Sequence, residues 1–446
     1  MLHLKALQNL FLKEKLMPKI GLLSILFLLL NCSSSLDLQN SYPRTNPDED
    51  RGLLLVPNQL IPPSSFKSIQ LYRKSNVNNP PIITLNKNEK LVLEFDELTS
   101  LSGQFRVRFE HFDPNWNPSN IPEIWYIDGF NELTVSGGEM NTLSKPSYFH
   151  YKTEFPNRQL DFLFSGNYML HVYDYSSNIK LFSLPFFVTE QVGELTSKIE
   201  TIYNSGSSFA AIDQLFSNYK YPDEVEFPQF ELSFEFIQNR FWGNSIKTKT
   251  FDITTPGKIR FYTLRENSFS SSFDFIPLDL SDLNINLDKI EDWQPEFIPP
   301  RIILERDILN FSASPSLQFR STYGNIETDR RSRYAEVYFR LVSGTLNTQN
   351  SKLYVAGDFN SWRITENSKL IYDNELDLWT TKLIMKEGNY RYKYFRNTEG
   401  LDDINIIPIN DTITNQTQEY MSFVYYKDPI KIYHRLLSTG VFRSRK

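Results

Sequence analysis

The sequence predicts an all-β fold: tandem β-sandwiches of Ig-like or E-set-like type that follow a signal peptide and a short tether. Three observations predict it. Aromatic residues reach 15%, with 35 Phe and 24 Tyr, and such side chains suit the half-buried surface of a sheet. Short segments alternate apolar and polar residues with period two, the strand pattern. Turn residues recur between these segments at close spacing, as in sandwiches.

The N-terminus reads as an address. Ile20 to Leu30 is an apolar run interrupted only by Gly21 and Ser24, with Lys13, Lys15 and Lys19 before it. That is the basic and apolar anatomy of a secretory signal, and it falls short of the ~20 residues a spanning helix needs. Met17-Pro18-Lys19 with the run behind it is a compact signal by itself, so Met1 and Met17 are both compatible starts. The run ends at Asn31-Cys32, followed by Ser33, Ser34 and Ser35, and Cys32 is the only cysteine. This arrangement resembles a bacterial lipoprotein signal, with residues 1–31 as leader and Cys32 as the site of diacylglycerol attachment. Asn31 stands where Gly, Ala or Ser is usual in that family. A leader cleaved without lipidation and a cysteine within the leader's apolar core are the alternatives. With Cys32 at the leader the mature chain has no disulfide, so its stability rests on core size.

Residues 32–52 form the expected tether, polar, with Pro43, Pro47 and the acidic run Asp48-Glu49-Asp50. Strand patterns follow. Phe105, Val107 and Phe109 alternate with Arg106, Arg108 and Glu110; Phe230, Leu232, Phe234 and Phe236 with Glu231, Ser233 and Glu235; Ala335, Val337, Phe339 and Leu341 with Glu336, Tyr338 and Arg340. Asp113-Pro114-Asn115, Asn117-Pro118, Gly137-Gly138, Ser165-Gly166-Asn167 and Pro256-Gly257 punctuate them. Only Ala210 to Asn218 and part of Glu190 to Tyr203 carry a helical pattern. At 446 residues the chain exceeds one ordinary core. Three β domains are expected, at 53–189, 191–322 and 334–426, with a tail at 427–446. The junctions fall between Glu190 and Pro228, where the strand pattern lapses, and at Tyr323 to Arg333, a charged stretch.

Composition and motifs narrow the function. The net charge is −6, which disfavours nucleic acid as partner, since a phosphate-binding face shows as a basic excess. His3 precedes the leader's apolar run, and His111, His150, His171 and His434 lack the spacing of a helical metal site. They read as sheet or surface histidines, and no metal is expected. No G-x-S-x-G elbow, Walker A loop or G-x-G-x-x-G loop is present, and Cys32 sits at the leader. Nothing selects a glycosidase-like pair among 53 acids. No catalytic residue is assigned and no cofactor is expected: the sequence reads as a binding protein, not an enzyme.

Two stretches carry resemblances. Lys352-Leu353-Tyr354-Val355-Ala356-Gly357-Asp358-Phe359-Asn360-Ser361-Trp362, then Leu378-Trp379, then Gly388-Asn389-Tyr390-Arg391-Tyr392-Lys393-Tyr394 resembles the early-Ig-like domains of the glycogen-binding and starch-branching group. In its sugar-binding members the turn Trp and the hairpin Lys touch glucan, which implies Trp362 and Lys393 here. Those members carry a second Trp soon after the hairpin, and residues 396–403 hold no aromatic.

The longer stretch begins at Trp125-Tyr126-Ile127-Asp128-Gly129-Phe130 and continues through Phe149-His150-Tyr151, Phe155-Pro156-Asn157 and Ser165-Gly166-Asn167-Tyr168. It ends at Val424-Tyr425-Tyr426 and His434-Arg435-Leu436-Leu437. This order resembles the plug-protein family of the type IX secretion system of Bacteroidetes-type bacteria, over roughly Leu53 to Gly440. The resemblance implies a non-catalytic periplasmic protein, lipid-tethered through Cys32 to the outer membrane, that occludes a wide outer-membrane translocon barrel. A lipid-anchored α-glucan-binding protein is the alternative.

Overall fold

The computed structural model describes residues 51–203, 211–282, 289–308, 332–342, 351–398, 407–408, 416–429, 431 and 433–444. Its secondary structure is almost entirely strand, as the aromatic content and period-two patterns predict. The residues from Asp50 to Lys446 form one unit, built from three sandwiches.

The first sandwich pairs a five-stranded sheet, in the order Ile82–Thr84, Lys180–Thr189, Gly166–Asp174, Phe105–Phe112, Glu132–Val135, with a four-stranded sheet, Phe66–Arg73, Leu91–Glu97, Tyr148–Phe155, Glu139–Asn141. Phe105, Val107 and Phe109 enter its core, and the arginines between them point away. The core is aromatic: Phe95 stacks on Tyr151 with centroids 5.1 Å apart, and Phe105 meets Tyr151 edge-on at 4.9 Å. Such offset and T-shaped pairs suit the ring quadrupole.

The second sandwich contains two strands where a helical pattern was expected. Glu194–Tyr203 and Ala211–Lys220 pair antiparallel, with Leu195 opposite Tyr219 and Ile199 opposite Leu215. The helical reading arises because Ile212, Leu215, Phe216 and Tyr219 fit spacings of three and four, whereas in the strand Leu215 and Tyr219 share one face and Ile212 and Phe216 the other. Pairing with Lys258–Tyr262 on the other side settles the choice. The facing sheet runs Ser245–Thr248, Leu232–Gln238, Glu419–Lys427, His434–Arg443. Its central strand starts at Leu232, not Phe230, which belongs to the helical turn Pro228–Glu231. The Pro at the first helical position favours that turn.

The third sandwich places Ile276–Asp279, Asn389–Thr398 and Ser351–Gly357 against Ile290–Gln294, Arg301–Ile308, Tyr334–Val342, Leu378–Lys386 and Ile371–Asp373. Strand pairing therefore crosses the boundaries expected from sequence. Residues 276–279 and 301–308, within the expected second domain, pair with strands of the expected third, and residues 434–443 of the expected tail form a half-buried strand of the second sandwich. Of the expected junction at 323–333, only Ser332 and Arg333 are among the described residues.

Buried polar groups join the sandwiches. Asp96, in the first, accepts from the Tyr334 hydroxyl at 2.8 Å and lies 2.8 Å from Lys386 Nζ, both in the third. His150 Nδ1 is 2.7 Å from the other oxygen of Asp96, and Lys386 Nζ sits 4.8 Å from the centroid of Tyr148. Tyr425, in the second sandwich, donates to Asn167 Oδ1 of the first at 2.8 Å. Glu235 lies beside Tyr425, and its burial raises its carboxyl pKa.

Candidate interaction surface

The residues singled out in the sequence occupy different places. Cys32 lies outside the described residues. Trp362 is 1% exposed and packs among Phe241, Phe275, Tyr354 and Phe395, where the second and third sandwiches meet. Its indole Nε1 donates to Asp358 Oδ1 at 2.9 Å. Asn360 fixes the turn by accepting from the Gly357 amide and donating to the carbonyls of Val355 and Arg363. Gly357 is required there, since a Cβ would come 2.4 Å from the Arg391 carbonyl. Lys393 is buried and ion-paired with Asp274, with Nζ 5.5 Å from the Phe273 ring. The fold thus brings Trp362 and Lys393 to one buried aromatic junction, and neither presents a face on which a sugar could stack.

The histidines lie on strands. His111 and His171 line a cavity of about 330 Å³ together with Arg108, Glu110, Glu123 and Tyr126. His111 Nε2 donates to the Ser165 carbonyl at 3.1 Å, and burial pushes its pKa down to about 4. The imidazole is therefore neutral near pH 7. Gly166, at φ +142, makes room for it, because a Cβ there would sit 2.5 Å from Nε2. His171 Nε2 lies 3.0 Å from Glu110 Oε2. Burial lowers the His171 pKa against that carboxylate, and the hydrogen bond from His171 lowers the pKa of Glu110. Among the described residues no cluster of His, Cys, Asp or Glu could hold a metal. These contacts seat the imidazoles; they do not align either with a nucleophile.

The feature that stands out is a loop cluster on the first sandwich. Ile124 is 80% exposed, Trp125 52%, Phe130 66% and Leu163 47%. Local geometry forces them outward. The helical turn Glu123–Tyr126 and the strand Ile127–Gly129 send Tyr126 and Ile127 into the core, which leaves Ile124 and Trp125 facing solvent. The strand pairs with Leu160–Phe162, and Gly129, at φ +93, lets the backbones close to a distance a Cβ would block at 2.2 Å. Leu163 N donates to the Tyr126 carbonyl at 2.9 Å and Phe130 N to the Gln159 carbonyl at 2.7 Å. Asn131 Nδ2 reaches back to Glu123 Oε2 at 2.7 Å, so the segment folds on itself. Glu123, Asp128 and Asp161 are exposed around this cluster, and Arg158 is exposed nearby. Large apolar side chains exposed together, with a polar rim, mark interaction sites. The sequence draws attention to the segment Trp125 to Phe130 without revealing its exposure, because an apolar run between polar residues reads equally as core.

In fold the chain is similar to the crystal structure of a hypothetical protein from Parabacteroides merdae: TM-score 0.76, 20% identity, 86% of this chain and 99% of that chain covered. Two other structures overlap with TM-scores of only 0.15 and carry no argument. A tetra-tandem repeat in the extending region of a large adhesion protein is 10% identical over 84% of this chain and 74% of that one. The C-terminal domain of the Streptococcus pyogenes antigen I/II-family protein AspA is 7% identical over 84% and 99%. No curated protein matches the sequence. Residues 66–190, the segment that builds the first sandwich and carries the exposed Ile124–Trp125–Phe130–Leu163 cluster, match the model of the type 9 secretion system plug protein 1st domain, and that match supports the plug family for this chain.

Proposed function

We propose that this protein is a non-catalytic plug of the type IX secretion translocon, an exported periplasmic protein that closes the resting outer-membrane pore. The observation that carries the reading is the match of residues 66–190 to the plug first domain. The structure suits the task physically. A stopper for a wide pore must resist deformation, and buried hydrogen-bonded networks join all three sandwiches here. It must also present interface anchors, and exposed aromatic side chains serve as such. In this reading Cys32 carries diacylglycerol and holds the protein at the outer membrane. The burial of Trp362 and Lys393 gives no support to glucan binding.

A plug lowers permeability without turning anything over. Deleting the gene in a host that assembles the translocon is expected to raise uptake of large antibiotics or dyes that the outer membrane normally excludes. Cargo secretion is expected to suffer less than on loss of the barrel. Wild-type permeability in the deletion strain, with the barrel present and assembled, refutes the proposal.

A further inference from the structure

We propose that the Ile124–Trp125–Phe130–Leu163 cluster and the turn bearing Phe227 and Phe230 form one acid-rimmed apolar face, which docks a protein surface of apolar pockets bordered by Lys and Arg. The assignment rests on the plug reading for the identity of the partner, but not for its chemistry.

Two loops of different sandwiches carry the same pattern. On the second sandwich Phe227 is 55% exposed and Phe230 79%. Glu231 Oε2 caps the turn by accepting from the Phe227 amide at 3.1 Å. Asp223, Glu224 and Glu226 are exposed beside it, Glu224 in an ion pair with Arg435, and an exposed cation, Lys427, follows Tyr426 on the neighbouring strand. On the first sandwich Glu123, Asp128 and Asp161 hold the corresponding rim positions.

Largely buried contacts beneath the two loops connect them. Phe164, next to Leu163, stacks on Tyr433 with centroids 4.2 Å apart and planes 6° from parallel. Two residues on, Arg435 pairs with Glu190 of the first sandwich and with Glu224 at 2.9 Å. Glu224 in turn lies three residues before Phe227. The six exposed side chains offer on the order of 700 Å², close to the ~800 Å² per partner of a standard interface.

The charge pattern selects the occupant. A second copy of this face would bring acidic rims together, which costs free energy rather than gaining it. A bilayer would have to desolvate carboxylates around the inserted rings, against their hydration, and anionic headgroups would repel them. A protein pocket with a Lys and Arg border satisfies both the rings and the rim.

The test captures the translocon from detergent-solubilised outer membranes of the host with wild-type full-length protein, Trp125→Ser/Phe130→Ser, Asp128→Lys/Asp161→Lys, and Ile371→Ser as a remote exposed control. All substituted side chains lie on the surface, so melting curves should match wild type. The serine pair should lower recovery of the barrel by about tenfold or more. The lysine pair should lower it at low salt, with the deficit shrinking toward ~1 M salt, and Ile371→Ser should match wild type. Equal capture by wild type and the serine pair overturns this inference and leaves the plug reading standing. Capture of no barrel by wild type refutes the plug reading itself. Flotation of the protein with phosphatidylethanolamine–phosphatidylglycerol vesicles that depends on Trp125 and Phe130 overturns the protein-partner assignment in favour of a membrane.

Discussion

Replacing Lys386 by Met tests whether the buried network truly couples the first and third sandwiches. Lys386 and Asp96 side chains are both fully buried, with Nζ 2.8 Å from Oδ2. Met keeps most of the volume, so little cavity cost enters, and the change isolates the charge. Without the ammonium, Asp96 keeps the Tyr334 hydroxyl at 2.8 Å and the His150 Nδ1 contact at 2.7 Å. Breaking a buried pair from one side costs about 3–5 kcal/mol, and the two remaining contacts argue for the lower end, about 3 kcal/mol. With a urea m-value near 3 kcal/mol/M for a large chain, the midpoint should fall by about 1 M. The comparison is valid for whichever cooperative transition contains both sandwiches. Adding Asp96→Asn should recover part of the loss, because a neutral amide still accepts from Tyr334 and no longer buries a lone charge. A single-variant cost under about 1 kcal/mol, or a double variant worse than the simple addition of the two single changes, refutes the account.

Trp362→Ala should destabilise the protein by about 3–5 kcal/mol in urea unfolding, because the ring is 1% exposed between two sandwiches; glycogen retention lost at unchanged melting temperature would instead place the ring on a glucan. For His111 the pKa falls from 6.5 in the unfolded chain to about 4 in the fold. The unfolded state therefore binds the proton first on acidification, and this contribution is fully present above pH 6.5 and declines as pH falls toward 4. The loss should reach about 2–3 kcal/mol near pH 4.5; a His111→Gln variant that keeps the wild-type pH slope refutes the assignment. Cys32→Ser should move the protein from the membrane to the soluble fraction, since acyl chains supply most of the affinity. Unchanged membrane association without labelled lipid would show that protein contacts provide the tether.

The fold class was legible because strands with one face in the core announce themselves. Phe105, Val107 and Phe109 point inward and Arg106 and Arg108 outward, as their alternation predicts. The pattern lost meaning where a sheet is covered on both sides. Glu235 reads as solvent-facing and is buried beside Tyr425 between the first and second sandwiches. Local sequence cannot register a neighbour that arrives from 190 residues away. The same limit hid the long-range pairing of 232–238 with 419–427 and therefore the true extent of the second sandwich. At the candidate surface, the segment Trp125 to Phe130 was visible as a motif. Its outward rings were not, because that depends on Gly129 closing against Gln159.

The strands at 419–427 and 434–443 belong to the second sandwich, so the third, whose described strands lie between residues 276 and 408, is inserted within it. The order of synthesis then differs from the order of completion. The first sandwich has all its strands by residue 189 and can close early. The second waits with Leu232–Gln238 paired on one side only, to Ser245–Thr248, until some 180 further residues have been made. Trimming the chain from its end consequently does not peel off the third sandwich; it opens the second and exposes the side of the first that rests on it. The protein is locked by its last strands, much as a barrel is held by its final hoop, and only a chain delivered through residue 443 presents both halves of the acid-rimmed face together.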